Sequence, residues 1–340
     1  MTIEIISDKG QWDGFIEESP YGMLFHRWDY LKTIEKYIGY DLLTYGIFKG
    51  STLIGVLPLF YKKKGGIKLV YSPPPGTLTY TPYMGLVMGD IYATVRQRKK
   101  ESYLDLAWND VSRELKRLAP NYVSITFVPD MNDIRPMIWD GYNTQLLYTY
   151  LIDLDRPLDD MWNDFESDCK KNIRSCEKYD LTIMQTSDVD TFYSNMGESL
   201  KAHGKTFFRR QDSGFLKELI ALFPDNIKLY FLYRGSEVLG MTIDCMYKGL
   251  YMGWCGDNVI NRDLKVNEYL EWEKIKAAKS EGYKCYENWG GDMKRLNVFK
   301  SKFNPKLMPY YHVKKLDAVG KLSDFGYGML SSISINLIKR

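Results

Sequence analysis

The chain repeats part of its own sequence, and this internal duplication constrains the fold more than any other feature. Residues 48–55 read apolar, basic, Gly, Ser, any residue, apolar, apolar, Gly, and residues 233–240 repeat the pattern. A Gly-Ser pair between two apolar runs predicts a β-hairpin. A second, looser repeat relates residues 103–108 to residues 269–272. Because the copies lie a domain apart, the sequence predicts two versions of one α+β unit rather than a solenoid.

Composition narrows the class of protein further. The length of 340 residues fits about two domains, and an apolar share of 45% is enough for a folded core. A net charge of +3 gives no overall basicity for binding DNA. The five cysteines have no CxxC spacing and the histidines number three, so we expect reduced thiols and no metal site. Without a signal peptide or a long apolar run, we expect a soluble, cytoplasmic protein.

The predicted elements come in the same order in both halves: helices, a three-stranded meander, a helix and a strand. The predicted helices cover residues 7–38 (in two pieces), 93–118, 159–178, 188–202, 213–222, 267–280 and 299–303. The predicted strands cover residues 42–61 (a hairpin), 69–71, 122–127, 181–185, 227–233, 238–246, 251–256 and 284–288. This order matches the acyl-CoA N-acyltransferase (GNAT) fold, although many α+β domains share it. We predict a first domain over residues 1–146, a second over 147–315, and a tail, 316–340, that packs back on the first.

Four segments carry a resemblance to a known family. They are residues 12–28 (with Phe25-His26-x-Trp28), 162–178 (a basic helix), 267–273 followed by Gly290-Gly291, and 296–304 (with Phe299-Lys300). In this order and spacing the chain resembles the FemA/FemB/FemX family of peptidoglycan-bridge aminoacyltransferases, and the related acyl-CoA-dependent acetyltransferases of the same double fold. The resemblance implies two tandem GNAT-like domains. No sustained heptad pattern is present, so it implies the short FemX form without a coiled-coil arm.

The resemblance also implies a reaction and its partners. Such proteins join an acyl or aminoacyl group to an amine of a nucleotide- or lipid-linked envelope precursor. The donor is aminoacyl-tRNA or acyl-CoA, with no tightly bound cofactor, no DNA partner and at most peripheral membrane contact. Two departures stand out: Asn304 replaces a common Gly, and residues 262–267 lack the usual pyrophosphate loop of CoA enzymes. The missing loop favours the tRNA donor, whereas the near-neutral charge favours CoA.

Lys300 is the first candidate catalytic residue. Amide formation passes through a tetrahedral oxyanion, and a fixed cation aimed at that charge lowers the barrier by about 2.7–4 kcal/mol. Lys300 matches the family's Phe-Lys position. The alternative is a solvated lysine within the basic run of residues 294–306.

Other cations and polar residues are candidates for substrate binding. By the resemblance, Lys32 contacts the diphosphate of a nucleotide-linked precursor, and Arg209 or Arg210 supplies a second cation. Asn267 and Lys302 lie in the matching segments, Lys302 as an electrostatic neighbour of Lys300. Each of these charges is otherwise an ordinary solvated side chain.

The loop of residues 72–85 is rich in proline and follows the first meander. Loops on a rigid scaffold often carry binding residues, and the matching family loop lines the precursor pocket. Tyr80, Tyr83 and Gly85 are therefore predicted to contact substrate, unless the loop serves packing alone.

Three carboxylates are candidate general bases, because an attacking ammonium must first lose a proton. Asp257 follows the last strand of the second meander, and Glu287 lies in the following strand. Asp244 interrupts an apolar run that is predicted to be a strand. Each of them can instead be a structural carboxylate.

Three functions therefore remain open from the sequence. The first is a FemX-like aminoacyltransferase acting in cell-wall biogenesis. The second is an acyl-CoA-dependent N-acetyltransferase acting on a sugar, lipid or exopolysaccharide precursor. The third is a non-catalytic binding module on a decayed transferase fold.

Overall fold

The fold divides into two compact units. The computed structural model describes residues 2–75, 81–202, 213–258, 264–292 and 294–322. The first unit comprises Met1–Leu147 with Pro309–Arg340, and the second comprises Tyr148–Met308. The sequence placed the boundary after residue 146 and the return at residue 316. The chain thus re-enters the first unit earlier than expected, because a strand begins just before that point.

The first unit contains five α-helices and six β-strands before its boundary, as far as the structure describes it. Its helices are α1 (Lys9–Glu18), α2 (Trp28–Ile38), α3 (Asp90–Thr94), α4 (Gln97–Leu118) and α5 (Arg135–Trp139), with a 3₁₀ turn at Leu24–His26. Its strands are β1 (Thr2–Ile5), β2 (Asp41–Lys49), β3 (Thr52–Lys64), β4 (Ile67–Ser72), β5 (Val87–Met88) and β6 (Tyr122–Thr126).

The second unit follows the same plan. Strand β7 (Asn143–Asp153) leads into it. Its helices are α6 (Leu158–Asp164), α7 (Ser167–Cys176), α8 (Val189–Ala202), α9 (Ser213–Leu222), α10 (Val266–Ser280) and α11 (Lys294–Lys300), with a 3₁₀ turn at Ser301–Phe303. Its strands are β8 (Leu181–Thr186), β9 (Ile227–Arg234), β10 (Glu237–Tyr247), β11 (Leu250–Asn258) and β12 (Cys285–Asn288), and β13 (Lys306–Leu316) leads back out.

The sheets of the two units repeat one arrangement. In the first, β2, β3 and β4 form an antiparallel meander and β6 lies parallel to β4. In the second, β9, β10 and β11 form the meander and β12 lies parallel to β11. A parallel neighbour requires a crossover, and α4 and α10 provide it. The duplication seen in the sequence is therefore a duplication of architecture.

The sheet of each unit gains a further strand from the other half of the chain. Strand β13 follows the helices of the second unit, yet it runs antiparallel to β6, with Val313 opposite Ile125. Strand β7 follows the helices of the first unit, and its Ile152 lies opposite Tyr286 on β12. The last strand of each copy is thus exchanged between the copies.

An aromatic cluster in the second unit fixes the segment that carries Lys300. The ring of Phe165 meets the rings of Trp272 and Phe303 edge to face, with centroids 5.0 Å apart in both pairs. All three side chains are buried. Burying large aromatic rings is among the strongest stabilising contributions in a core. The 3₁₀ turn after Lys300 is therefore anchored to α10.

Several predicted elements differ from the observed ones. The strand β13 was not predicted, because Pro309 and the lysines around it interrupt its apolar pattern. The helix predicted over residues 159–178 is two helices, α6 and α7, with Phe165 turned into the core between them. The predicted helix 93–118 is likewise divided into α3 and α4. The tail segment 327–340 lies outside the described residues.

Over the described part of the chain, none of the helices is both long enough and apolar enough to cross a lipid bilayer.

Candidate active site

The sheet of the second unit opens between two parallel strands. Strands β11 and β12 pair from Leu250 and Cys285 as far as Gly253 and Asn288. Beyond this point β11 continues beside β10 to Asn258. The segment that follows β12 instead runs along β7, where the amide N–H of Gly291 donates to Tyr148 O at 2.8 Å. The strands therefore part, and residues 289–291 border the opening.

Lys300 reaches the turn that borders this opening. Its side chain lies at the end of α11, and the residue is 6% exposed. Its Nζ donates to the carbonyl oxygen of Trp289 and, at 3.3 Å, to that of Gly290. Gly290 has a φ of 92°, which an L-residue rarely adopts, and this conformation turns the carbonyls toward the amine. An ammonium has three N–H donors. The third has no partner among the residues that the structure describes.

Lys300 titrates close to neutral pH. Burial lowers its pKa to about 8, and the neighbouring charge of Lys274 lowers it too. The carboxylates of Glu271, Glu287 and Asp292 oppose this and raise it. Lys300 is accordingly a cation at pH 7, but one that loses its proton more readily than a solvated lysine.

Glu271 on α10 is the acceptor at the centre of a buried network. Its Oε1 accepts a hydrogen bond from the hydroxyl of Tyr286 at 2.9 Å and one from Asn288 Nδ2 at 2.5 Å. Its Oε2 lies 3.3 Å from Lys274 Nζ. Glu271 is 7% exposed and Asn288 is also 7% exposed. The carboxylate is thus satisfied on both oxygens inside the unit.

Lys274 joins this network to Asp244. Its Nζ lies 3.4 Å from Asp244 Oδ1, while Asp244 Oδ2 accepts the hydroxyl of Tyr251 at 2.6 Å and Oδ1 accepts Thr242 Oγ1 at 2.7 Å. Burial alone would lower the pKa of Lys274, but the carboxylates of Asp244 and Glu271 together raise it. Asp244 is therefore engaged in an ion pair and two hydrogen bonds, which does not suit the general base that the sequence suggested.

The other two candidate bases lie on the strands that border the opening. Glu287 is 1% exposed and accepts Thr149 Oγ1 at 2.7 Å. Asp257 pairs through its backbone with Met241 on β10, and its side chain lies outside the described residues. Both remain predictions as general bases.

Lys302, in the 3₁₀ turn after α11, contacts the start of α10, where Asn267 lies. Lys302 Nζ lies 2.7 Å from Asp168 Oδ2 and 3.0 Å from Glu268 Oε1. Asn172 also donates to Glu268, at 2.9 Å. Lys302 thus ties α11 and its 3₁₀ turn to α7 and α10 as a structural cation. Asn267 is exposed on the first turn of α10.

The predicted residues of the first unit do not form one group. Lys32 is exposed on α2, with its Nζ 2.8 Å from Glu35 Oε2 and 5.5 Å from the centre of the Trp28 ring. Tyr83 is completely buried, and its ring packs against Tyr310 at 4.8 Å. The described part of its loop is built into the core, so Tyr83 has no solvent-facing surface for a ligand.

Gly85 serves the same packing. It has a φ of 66°, and its N–H donates to Ser72 Oγ at 2.9 Å. A Cβ at this position would lie 3.0 Å from Thr126 O. The predicted residues Tyr80, Arg209 and Arg210 lie outside the described residues.

The basic helix of the resemblance, α7, uses its cations locally. Lys170 Nζ donates to the carbonyl oxygen of Asn163 at 2.7 Å. The guanidinium of Arg174 lies 5.4 Å from the centre of the Trp162 ring. Both contacts bind α7 to α6.

Sequence reasoning did not single out Glu271, Lys274, Asn288 or Tyr286 as site residues. One signal was present: Glu271 and Lys274 lie on the same face of α10 as the apolar residues Trp272 and Ile275. Charges on a buried helix face require partners. Asp244, the charged residue within an apolar strand, is the partner of Lys274.

Comparison with known proteins supports the class that this geometry suggests. Residues 163–301 match the family model of the GNAT acetyltransferase domain, which lies within the second unit. A search of curated proteins found no match.

Solved structures show the fold of the whole chain. FemX superposes with a TM-score of 0.66 at 14% identity, covering 92% of this chain and 97% of FemX. The C-terminal domain of a candidate lysylphosphatidylglycerol synthetase from Agrobacterium fabrum gives 0.55 at 13% identity, covering 95% and 96%. A tandem GNAT protein from the clavulanic acid biosynthesis pathway gives 0.53 at 11% identity, covering 92% and 98%. The chain thus has a tandem GNAT-like fold, and the matched domain supports an acyltransferase.

Proposed function

We propose that the protein transfers an acyl or aminoacyl group onto an amine of a nucleotide- or lipid-linked cell-envelope precursor, in the manner of FemX. The observation that carries the proposal is Lys300: a buried ammonium beside an opening in the sheet, with two N–H groups fixed on backbone carbonyls and a third that has no partner among the described residues. A donor oriented before the reaction stabilises developing charge without reorganisation.

The reaction needs few groups from the protein. The acceptor nitrogen attacks the ester carbonyl of an aminoacyl-tRNA, or the thioester carbonyl of an acyl-CoA, and a C–N bond forms. The carbonyl oxygen becomes an oxyanion, and the third N–H of Lys300 donates to it. The C–O or C–S bond then breaks as the carbonyl re-forms. The proton lost by the amine is taken up by the departing oxygen or sulfur, with Glu287 or Asp257 as candidate carriers.

The partners follow from the same proposal. Lys32 is exposed, and its cation is proposed to contact the precursor's diphosphate, together with Arg209 or Arg210. Aminoacyl-tRNA and nucleotide-linked precursors are cytoplasmic molecules, so the reaction is proposed to occur there. The donor brings the acyl group and leaves without it, and no resident cofactor is required.

An acyl-CoA-dependent N-acetyltransferase is the second candidate function. The match of residues 163–301 to an acetyltransferase family favours it. Its acceptor would be a sugar, lipid or exopolysaccharide precursor.

A binding screen separates these functions. The full chain is heated with acetyl-CoA, with a UDP-linked muropeptide or with aminoacyl-tRNA, and the unfolding temperature is recorded. A ligand at a hundredfold excess over its Kd stabilises the fold by about 2.7 kcal/mol. We expect the muropeptide and one donor to raise Tm, and transfer to follow when both are present. Lys300→Met is the matched control, because it should bind both ligands yet transfer slowly. Binding without transfer by the wild-type chain would identify a binding module instead.

A further inference from the structure

The turn that orients Lys300 is held from two sides. On one side, Lys300 Nζ donates to the carbonyls of Trp289 and Gly290. On the other, the preceding residue, Asn288, donates its side-chain amide to Glu271. We propose that Glu271 is a positioning residue that orients Lys300 through the side chain of Asn288. The inference rests on the catalytic role proposed for Lys300.

The geometry supports this role because Glu271 is itself immobilised. It lies in the middle of α10. One of its oxygens accepts hydrogen bonds from Tyr286 at 2.9 Å and Asn288 at 2.5 Å, and the other lies 3.3 Å from Lys274 Nζ. Charge-assisted hydrogen bonds of this kind are short and strong. Strand β7 holds the backbone of Asn288 opposite Tyr150, so the side-chain bond to Glu271 fixes the remaining freedom at the start of the turn.

The charges around Lys300 support the same assignment. Glu271 and Lys274 face it from α10, Glu287 from β12 and Asp292 from the segment after β12. Among the carboxylates, Glu271 acts most strongly in raising the pKa of Lys300 against burial. Since Lys274 lowers the pKa of Lys300 from the same helix, neutralising Glu271 would remove the carboxylate that most opposes this effect.

The test follows the titration of Lys300 directly, without a substrate. The full-length protein is labelled with ¹³C at the ε position of lysine, and the Lys300 signal is assigned by its loss in Lys300→Arg. Glu271→Gln keeps an acceptor oxygen for Asn288 but removes the charge. We expect the midpoint of Lys300 to move to lower pH by about one unit. An unchanged midpoint would overturn the proposal.

Two further variants separate positioning from simple packing. Asn288→Leu keeps the volume and the charge of Glu271 but breaks the link, and we expect a changed chemical shift for Lys300 as its amine leaves the two carbonyls. Asn288→Leu also tests the proposal by itself if the Glu271→Gln variant does not fold. Tyr251→Phe is the matched control: it removes a buried hydrogen bond to Asp244 in the same network and should leave the Lys300 signal unchanged.

The outcomes are distinct from those of the proposed function. A Lys300 signal that responds to Glu271→Gln and Asn288→Leu, but not to Tyr251→Phe, supports the positioning role. An equal response to Tyr251→Phe overturns it, because the network would then act only through overall packing. If Lys300→Met retains full transfer, the proposed function fails, while the link from Glu271 to Lys300 is still measured by the titration.

Discussion

Lys274 on α10 meets Asp244 on β10 across 3.4 Å in the interior of the second unit, where Asp244 has no exposed surface. The pair sits at a β-bulge, since the register of β10 with β11 shifts between Ile243 and Asp244. A bulge redirects side chains locally. The buried ion pair therefore connects the helix that carries Glu271 to β10, the neighbour of the strand β11 that borders the opening.

Breaking this pair is expected to destabilise the second unit strongly. Lys274→Met leaves Asp244 and Glu271 buried without their cation, at a cost of about 3–5 kcal/mol. The measurement is urea unfolding. Lys276→Met on the same helix is the control, because its pair with Glu273, at 2.7 Å, is partly open to solvent and is worth at most about 1 kcal/mol. Similar losses in the two variants would contradict the buried pair.

Lys300→Met is expected to lower turnover at least about tenfold while the protein stays folded. The side chain removed is a cation stabilising the oxyanion, and methionine fills a similar volume. Single-turnover transfer, with the donor found by the binding screen, measures the effect. Lys302→Met tests whether any nearby cation would do, since its charge is taken up by Asp168 and Glu268. Equal rates in wild type and Lys300→Met would refute the assignment.

Lys300 also makes a stability prediction with a defined sign. Its pKa in the folded protein is about 8, against an ordinary value of 10.5. Between these two pH values the unfolded chain binds more protons, so stability rises with pH. We expect the difference in unfolding free energy between wild type and Lys300→Met to change across this window and to be flat below it. A difference that does not vary with pH would show that Lys300 is not buried as described.

If Lys300 acts as a cation, the rate of transfer falls as the pH rises through about 8. A rate that increases through the same pH would instead assign Lys300 as a base. The pH profile of kcat/KM, which reports the pKa values of the free enzyme, distinguishes the two.

Gly85→Ala is expected to destabilise the first unit. The added Cβ would lie 3.0 Å from Thr126 O, and the φ of 66° strains any L-residue. Gly141→Ala is the matched control: it also has a positive φ, 81°, but no atom within 4 Å of its Cβ. The extra loss in Gly85→Ala, measured by thermal unfolding, reports the contact alone. An equal loss would mean that backbone strain accounts for the whole effect.

The sequence predicted elements wherever local pattern decides the structure. The repeated hairpins and the apolar faces of α2 and α10 are of this kind, and the GNAT-like order followed from them. Sequence-based prediction failed where a residue's environment depends on contacts with residues distant in the sequence. The proline-rich loop predicts that Tyr83 contacts a ligand, but packing against Tyr310 buries this residue. Glu271 and Lys274, three positions apart on a helix, have the spacing of an ordinary surface pair. Their burial becomes evident only from their partners, Asp244 on β10 and Asn288 on β12.

The exchange of β7 and β13 between the two copies bears on how the gene can be divided. A fragment ending at Leu147 would lack β13, the strand that flanks β6, and the complementary fragment starting at Tyr148 would carry β13 without β6 to pair it. Neither half can be excised as a self-sufficient catalyst by cutting at the middle of the polypeptide. Fission, truncation or nicking near that point should yield pieces that regain order only when they are mixed.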